Sequence, residues 1–362
     1  MDLETRVHLA KQFPAEEIIT EQELHHLFQT NAHPKHYIGF EISGYLHLGS
    51  LFVTGYKIRD LLEAGCECTI LLADWHSWIN NKFNGDLEKI RMAAKYFEEG
   101  FKFFLGNNKK LKIILGSDLY HDNDGYWNKF VKISKAITLA RVTRCLTIAG
   151  RKENETLEFG QYLYPSLQAS DIWELDVDIA HAGMDQRKVH VLYREVADKL
   201  KLKKPVMIHT HLLSGLGEPE LAGFDENPEL DKKISSKMSK SKPWTAIYIH
   251  DSDSEIKDKV SKAWCPEKVV ENNPVLDICR SIIFREKKIF EIERQKKFGG
   301  SILFHSYPQL EREYSIGKLH PQDLKIGVGV ALAEIIKPVR KHFDKAQNKK
   351  LLQVFKETEI TR

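Results

Sequence analysis

Cysteine, net charge and long apolar runs are all scarce in this chain of 362 residues. Its five cysteines, Cys66, Cys68, Cys145, Cys265 and Cys279, include no Cys-x-x-Cys pair, and no histidine is spaced to complete a zinc site with them. A structural zinc module and a redox dithiol are therefore excluded, and reduced core thiols in a cytoplasmic protein are the expectation. No stretch reaches the roughly 18 uncharged apolar residues that a membrane-spanning helix needs. Glu4, Arg6, Lys11, Glu16 and Glu17 interrupt the N-terminus where a secretory signal would be apolar. Neither secretion nor a membrane partner is expected. With a net charge of only +3 the chain is no polyelectrolyte, so any nucleic-acid contact must come from local patches.

What is present is an alternation. Strand-like apolar runs recur at Tyr37 to Phe40, Cys68 to Ala73, Leu111 to Leu115, Val177 to Ala180 and Pro205 to His209, separated by helical patterns over 51–64, 86–105, 126–149 and 186–201. This predicts an α/β fold, a Rossmann-like parallel sheet with helices on both faces. Its ligands belong beyond the carboxyl ends of the strands, where strand order reverses. Residues 1–33 read as an arm of two short helices, the second opened by Thr20 and Glu23 as a capping box. Residues 34–212 make the sheet unit, with 118–164 as an inserted helical connection carrying a basic side, and 213–250 are loop and linker. From 251 to 362 helical patterns at 254–264, 274–285, 322–343 and 345–357 predict a second, mostly α-helical domain.

Two short segments carry phosphate chemistry. His47-Leu48-Gly49-Ser50 follows the first strand and opens a helix, whose free amides and positive end welcome an anion. Gly44 and Gly49 leave room for a base or phosphate, and His47 can donate to a phosphate oxygen. Far downstream, behind the Gly-, Pro- and acid-rich run Ser214 to Asp231, Lys237-Met238-Ser239-Lys240-Ser241 sets two lysines among small hydroxyl residues, as a mobile anion clamp does. Alone, the first is also an ordinary strand-to-helix turn and the second a solvated basic loop; together they point to ATP. Tyr164, Gln168 and Asp171 stand at i, i+4 and i+7 and share a helix face. A phenol, an amide and a carboxylate make a poor core face, so the stripe reads as a polar pocket. Ala182-Gly183-Met184-Asp185-Gln186-Arg187-Lys188 is a second strand-to-helix junction, its Asp185 suited to ribose hydroxyls or, alone, to an N-cap.

These segments resemble the tyrosyl-tRNA synthetases of the archaeal and eukaryotic type, class I aminoacyl-tRNA synthetases, over essentially the whole length. His47 to Ser50 is similar to the HIGH segment and 237–241 is a complete KMSKS, while Tyr164 to Asp171 and Gly183 to Lys188 resemble motifs of the tyrosyl branch. Ser50 stands where the last histidine of HIGH usually stands, and Ala182 replaces a glycine. Ser50 keeps one donor, so a retuned phosphate contact in an active enzyme is expected. The resemblance implies a homodimeric ligase that activates L-tyrosine with ATP, Mg²⁺ arriving on the nucleotide and no structural metal, and passes tyrosine to tRNA(Tyr). Residues 34–212 would then be catalytic and 251–362 anticodon-binding.

By the same resemblance Tyr37 and Asp171 bracket the substrate's phenol, and Tyr164, Gln168 and Gln186 hold its amino and carboxylate groups. Leu71, Ala73 and His76 wall its ring. Gly39, Glu41, Gly44, His47, Gly49, Ser50, Gly183, Asp185 and the five residues 237–241 meet ATP, with His47, Ser50, Lys237 and Lys240 stabilising its phosphates. Arg141, Arg144, Arg187 and Lys188 face the acceptor stem, and Phe298 and Asp323 an anticodon base; solvated cations and a core phenylalanine fit the same residues. Three rivals remain. A tryptophanyl synthetase gives Tyr37 nothing to do, a small-molecule nucleotidyltransferase lacks a full KMSKS with a helical domain, and a non-catalytic RNA-binding relative finds support only in Ser50.

Overall fold

The computed structural model describes residues 1–151 and 156–356, so parts of the inserted connection and of the last predicted helix (152–155 and 357–362) lie outside the described residues. The arm runs α1 (Leu3–Lys11), β1 (Ala15–Ile19) and α2 (Glu21–Thr30). The capping box forms as expected: Glu23 N donates to Thr20 Oγ1 and Thr20 N to Glu23 Oε2, both at 3.1 Å. The arm is not purely helical, however. β1 joins the main sheet as an antiparallel edge strand. Its consecutive glutamates hide it from a hydrophobic pattern: Glu17 meets His209 on the neighbouring strand and Glu16 meets His211 just beyond it.

The sheet proper follows the alternation. β2 (Lys35–Glu41) leads through a π-helical turn, Gly49–Val53, into α3 (Thr54–Glu63); β3 (Glu67–Ala73) is followed by α4 (Asp74–Ile79) and α5 (Leu87–Leu105), and β4 (Leu111–Leu115) by α6 (Gly116–Tyr120). The expected single helix over 126–149 is two: α7 (Asp124–Ala136) stops at extended Ile137, and Thr138 caps α8 (Leu139–Cys145) by accepting from Arg141 N. Then come α9 (Tyr164–Glu174), β5 (Ile179–Gly183), α10 (Arg187–Leu200) and β6 (Val206–Thr210). Strand order is β1-β6-β5-β2-β3-β4, all parallel except β1. Order reverses between β2 and β5, which pair Tyr37 with Ala180, so a crevice opens beyond their carboxyl ends. Alternation of side chains along each strand separates two cores. Ile38, Ile70 and Leu72 pack with α3 and α5; Tyr37, Leu71, Ala180 and Met207 face α9 and α10 through Ala169, Ile172, Leu192 and Val196.

Beyond β6 the chain forms α11 (Pro228–Ser236), which ends where the clamp segment begins. The helical region contains α12 (Asp253–Ser261), α13 (Pro274–Ile278), α14 (Phe284–Glu286), α15 (Tyr307–Ser315), α16 (Pro321–Asp344), α17 (Ala346–Lys349) and α18 (Gln353–Lys356). It is not wholly α: β7 (Phe290–Ile292) and β8 (Ile302–Phe304) form an antiparallel pair, too short to register as periodicity. One side-chain node joins all these parts. His211, just past β6, is held at 2.7 Å by both Glu16 Oε1 and Asp277 Oδ1; Asp277 Oδ2 accepts from Ser214 N at 2.9 Å, and Glu16 Oε2 accepts from Lys233 at 3.0 Å. The two carboxylates push the imidazole up to about 9 despite its burial.

Candidate active site

The His47 segment is held from downstream. Leu48 N donates to Ile247 O at 3.1 Å and Ile249 N to Leu46 O at 3.2 Å, an antiparallel bridge pairing His47 with Tyr248. A second bridge, Ser214 with Lys237, brings Met238 N to Leu213 O at 2.6 Å. The two motifs thus converge at the ends of β2 and β5. Desolvation, with Lys240 and Lys237 nearby, lowers His47 to about 3, so its ring is neutral. Its Nδ1 accepts from Ser50 N at 3.4 Å, which leaves the ring proton on Nε2. Gly49 packs close beside it: a Cβ there would stand 3.2 Å from the His47 ring, which would have to give way. Gly44 takes φ 140°, a conformation glycine tolerates.

Ser50 differs from expectation. Its hydroxyl accepts from His47 N at 2.9 Å and donates to His47 O at 3.1 Å, so the expected phosphate donor instead closes the turn that carries His47. Lys240 reaches Ser43 Oγ at 3.2 Å and lies 4.9 Å above the Phe97 ring; burial lowers its ammonium to about 7, against the pull of Glu41. Lys237 is ion-paired to Asp185, the residue expected at the ribose. Glu41 accepts from Asn80 at 2.6 Å and faces Lys82 at 3.6 Å. A Cβ at Gly39 would stand 2.8 Å from the Tyr37 hydroxyl. At Gly183 one would meet Asp185 Oδ1 at 2.6 Å. Among the described residues no group of three or more His, Cys, Asp or Glu side chains is arranged to hold a metal ion.

The polar stripe of α9 faces inward, and Tyr164, Gln168 and Asp171 are all buried. Tyr37, Leu71, Ala73 and His76 are buried with them. Asp171 Oδ1 accepts from Tyr120 at 3.0 Å and from Tyr126 at 2.8 Å, whereas Oδ2 is buried with no hydrogen bond, 3.6 Å from His76 Nε2. Burial raises Asp171 to about 8 against the pull of the phenols, and lowers His76 to about 3. Both His76 nitrogens are unpartnered, and the ring stands edge-on to Tyr164 at 4.7 Å. Gln186 donates to Ile148 O at 2.8 Å and accepts from Gln168 at 3.4 Å, which leaves Gln168 Oε1 buried and open. Sequence reasoning missed Tyr120 and Tyr126; they sit about 50 positions before Asp171, on elements with no periodic link to it.

Most of the cations expected at the acceptor stem already hold carboxylates. Arg141 pairs with Glu195 at 3.0 Å, Arg187 with Glu17 at 2.8 Å and Lys188 with Asp225 at 3.3 Å, while Arg144 is exposed. Arg141, Arg144, Lys188, Glu195, Asp225 and Glu226 line a cavity of about 290 Å³. Asp323 lies in the first turn of α16, 4.0 Å from Arg294 of the loop before β8. Phe298 falls in the short turn Lys296–Phe298, and the expectation for its side chain lies outside what is described.

A family model described as tRNA synthetases class I (W and Y) matches residues 29–337. The chain belongs to this family. Membership in the class I synthetases implies use of ATP. A curated tyrosine–tRNA ligase of Thermococcus kodakarensis is 46% identical, the alignment covering 100% of both chains. Among solved structures, the tyrosyl-tRNA synthetase of Pyrococcus horikoshii complexed with L-tyrosine is 43% identical, covers 99% of this chain and 100% of its own, and superposes with a TM-score of 0.91. A tryptophanyl-tRNA synthetase of Plasmodium falciparum, 17% identical with a TM-score of 0.68 over 97% of this chain and 89% of its own, shares the synthetase's fold. No helix among the described residues is long and apolar enough to cross a membrane.

Proposed function

We infer that the chain is a tyrosine–tRNA ligase: it joins L-tyrosine to ATP as tyrosyl-adenylate with release of pyrophosphate, then transfers tyrosine to the 3′-terminal adenosine of tRNA(Tyr). The observation that carries the amino-acid assignment is Asp171 Oδ2, a buried carboxyl oxygen without a hydrogen-bond partner, among the buried side chains of Tyr37 and His76. A phenol hydroxyl supplies that partner; a phenyl ring does not. An indole N–H also donates, yet it offers the Tyr37 hydroxyl no acceptor. Rejection of phenylalanine follows because buried polar groups would stay unpaired.

Neither step needs a protein nucleophile, because the tyrosine carboxylate itself attacks the α-phosphate and a tRNA ribose hydroxyl attacks the adenylate carbonyl. What the residues supply is position and charge. In this reading Gln168 Oε1 and Tyr164 receive the amino group, Leu71, Ala73 and His76 wall the ring, and Gln186 fixes Gln168. His47, with its proton on Nε2, donates to a phosphate oxygen, and Ser50 acts by holding His47. Lys240 and Lys237 clamp the departing pyrophosphate, for which Lys237 must leave Asp185 and free that carboxylate for the ribose. Gly39, Glu41, Gly44, Gly49 and Gly183 shape the nucleotide cradle. Mg²⁺ belongs to the nucleotide's phosphates. Exposed Arg144 and the cavity beside Lys188 support an acceptor-stem approach there, Asp323 with its neighbouring loop an anticodon contact, and exposed Val131 and Leu139 the packing of a second subunit. Pyrophosphate exchange into ATP, run with tyrosine, phenylalanine and tryptophan, tests the assignment. Exchange is expected with tyrosine alone; exchange with tryptophan, or with none, refutes it.

A further inference from the structure

Tyr120 and Tyr126 come from different helices, α6 and α7, yet both phenols end on one oxygen of Asp171, at 3.0 and 2.8 Å. A carboxyl group carries lone pairs on both oxygens; here Oδ1 takes both donors, and buried Oδ2 has no partner. The two rings are fixed as well. They lie 4.6 Å apart, with Trp75 5.3 Å from Tyr120 and Trp127 5.4 Å from Tyr126. Packing alone does not call for the hydroxyls, since phenylalanine has nearly the same volume. We propose that Tyr120 and Tyr126 are positioning residues for amino-acid discrimination: they lock the Asp171 carboxyl in one rotamer and aim its free oxygen at the phenol of the incoming tyrosine. This deepens the functional reading above and rests on it.

Two consequences follow from the geometry. A locked carboxyl cannot turn Oδ2 toward another donor when phenylalanine enters, so the apolar ring leaves a buried acceptor unpaired. Each phenol also favours the carboxylate over the acid. It opposes burial and the negative charges of Asp74 and Glu174. The other titratable groups facing Asp171 are His76 of α4, held neutral by burial, Tyr37 of β2, and Tyr164 on its own helix. Removing a phenol therefore strengthens proton binding at Asp171.

The test uses the full chain with Tyr120→Phe, Tyr126→Phe and the double variant. Amino-acid-dependent pyrophosphate exchange is followed between about pH 6 and 9, with KM for tyrosine and for ATP determined separately, beside thermal midpoints. Each single variant is expected to raise KM for tyrosine about tenfold, equivalent to ~1.4 kcal/mol. Each should narrow the preference for tyrosine over phenylalanine by a similar factor and move the pH midpoint of tyrosine KM upward, furthest in the double variant, while KM for ATP stays within about twofold. Wild-type exchange with tyrosine alongside variants whose tyrosine KM and pH midpoint are unchanged overturns the inference and leaves the function standing. Equal losses for tyrosine and ATP with a lowered thermal midpoint also overturn it, by reducing the phenols to a structural role. A wild type inactive with tyrosine overturns both.

Discussion

Replacing His211 by Gln should loosen the base of the clamp segment, and the size of the effect follows from the node that holds it. Glu16 and Asp277 each stand 2.7 Å from the imidazole, whose proton affinity is raised from 6.5 to about 9. That shift corresponds to about 3 kcal/mol of preference for the imidazolium in the folded state. Glu16 and Asp277 are both lowered to about 2, but these shifts describe the same contacts from the other side and are not added. A raised cationic group stabilises fully below its unfolded value, and the contribution is lost as pH rises from 6.5 through about 9. The lowered carboxylates contribute above their unfolded values, 4.5 and 3.8, and lose that contribution as pH falls through about 2. The node is therefore strongest between these windows, near pH 5 to 6 (roughly). Glutamine occupies similar space and supplies no charge, so the partly buried Asp277 and the more exposed Glu16 lose the cation between them, Glu16 keeping Lys233. Urea unfolding at about pH 6 should show a loss of ~3 kcal/mol that shrinks as pH approaches about 9. Hydrogen exchange at the Ser214 amide, which Asp277 holds, should accelerate in step. A loss below about 1 kcal/mol, or one independent of pH across that range, would refute the reasoning.

Lys240→Ala removes a cation from the proposed phosphate site and should slow adenylation by roughly a hundredfold, with KM for tyrosine unchanged in steady-state exchange; a tenfold weaker tyrosine affinity would contradict the proposed clamp role. Ser50→Ala opens the turn that Ser50 closes on the His47 backbone. It should cost about 1 kcal/mol in thermal or urea unfolding and raise KM for ATP more than KM for tyrosine; an unchanged ATP KM would show that the turn holds without it.

The parallel strands were legible because both their faces are covered, which makes them continuous apolar runs. β1 was not, since its Glu16 and Glu17 have partners on β6, α10 and α11 that no local pattern announces. The break at Ile137 and Thr138 was hidden inside residues with ordinary helical periodicity, and only the cap reveals it. The inward stripe of Tyr164, Gln168 and Asp171 was legible from helix spacing; Tyr120 and Tyr126 reach Asp171 from other helices, and tertiary contact of that kind leaves no periodic trace. The same holds for Arg141, Arg187 and Lys188. Read locally they look like free cations, but their carboxylate partners are 54, 170 and 37 residues away.

The bridge from Leu46–Leu48 to Ile247–Ile249 also bears on how the chain is made. The strands and helices around the first motif can form as they emerge from the ribosome, at about 5–20 residues per second. The backbone partners of Leu46 and Leu48 arrive some two hundred residues later, after the whole sheet and the clamp segment. Until then the turn carrying His47 lacks its outer rail, so a nascent chain ending before Ile247 should fold its sheet yet hold no competent nucleotide cradle. Completion of this backbone bridge is thereby deferred until the chain has passed Ile249.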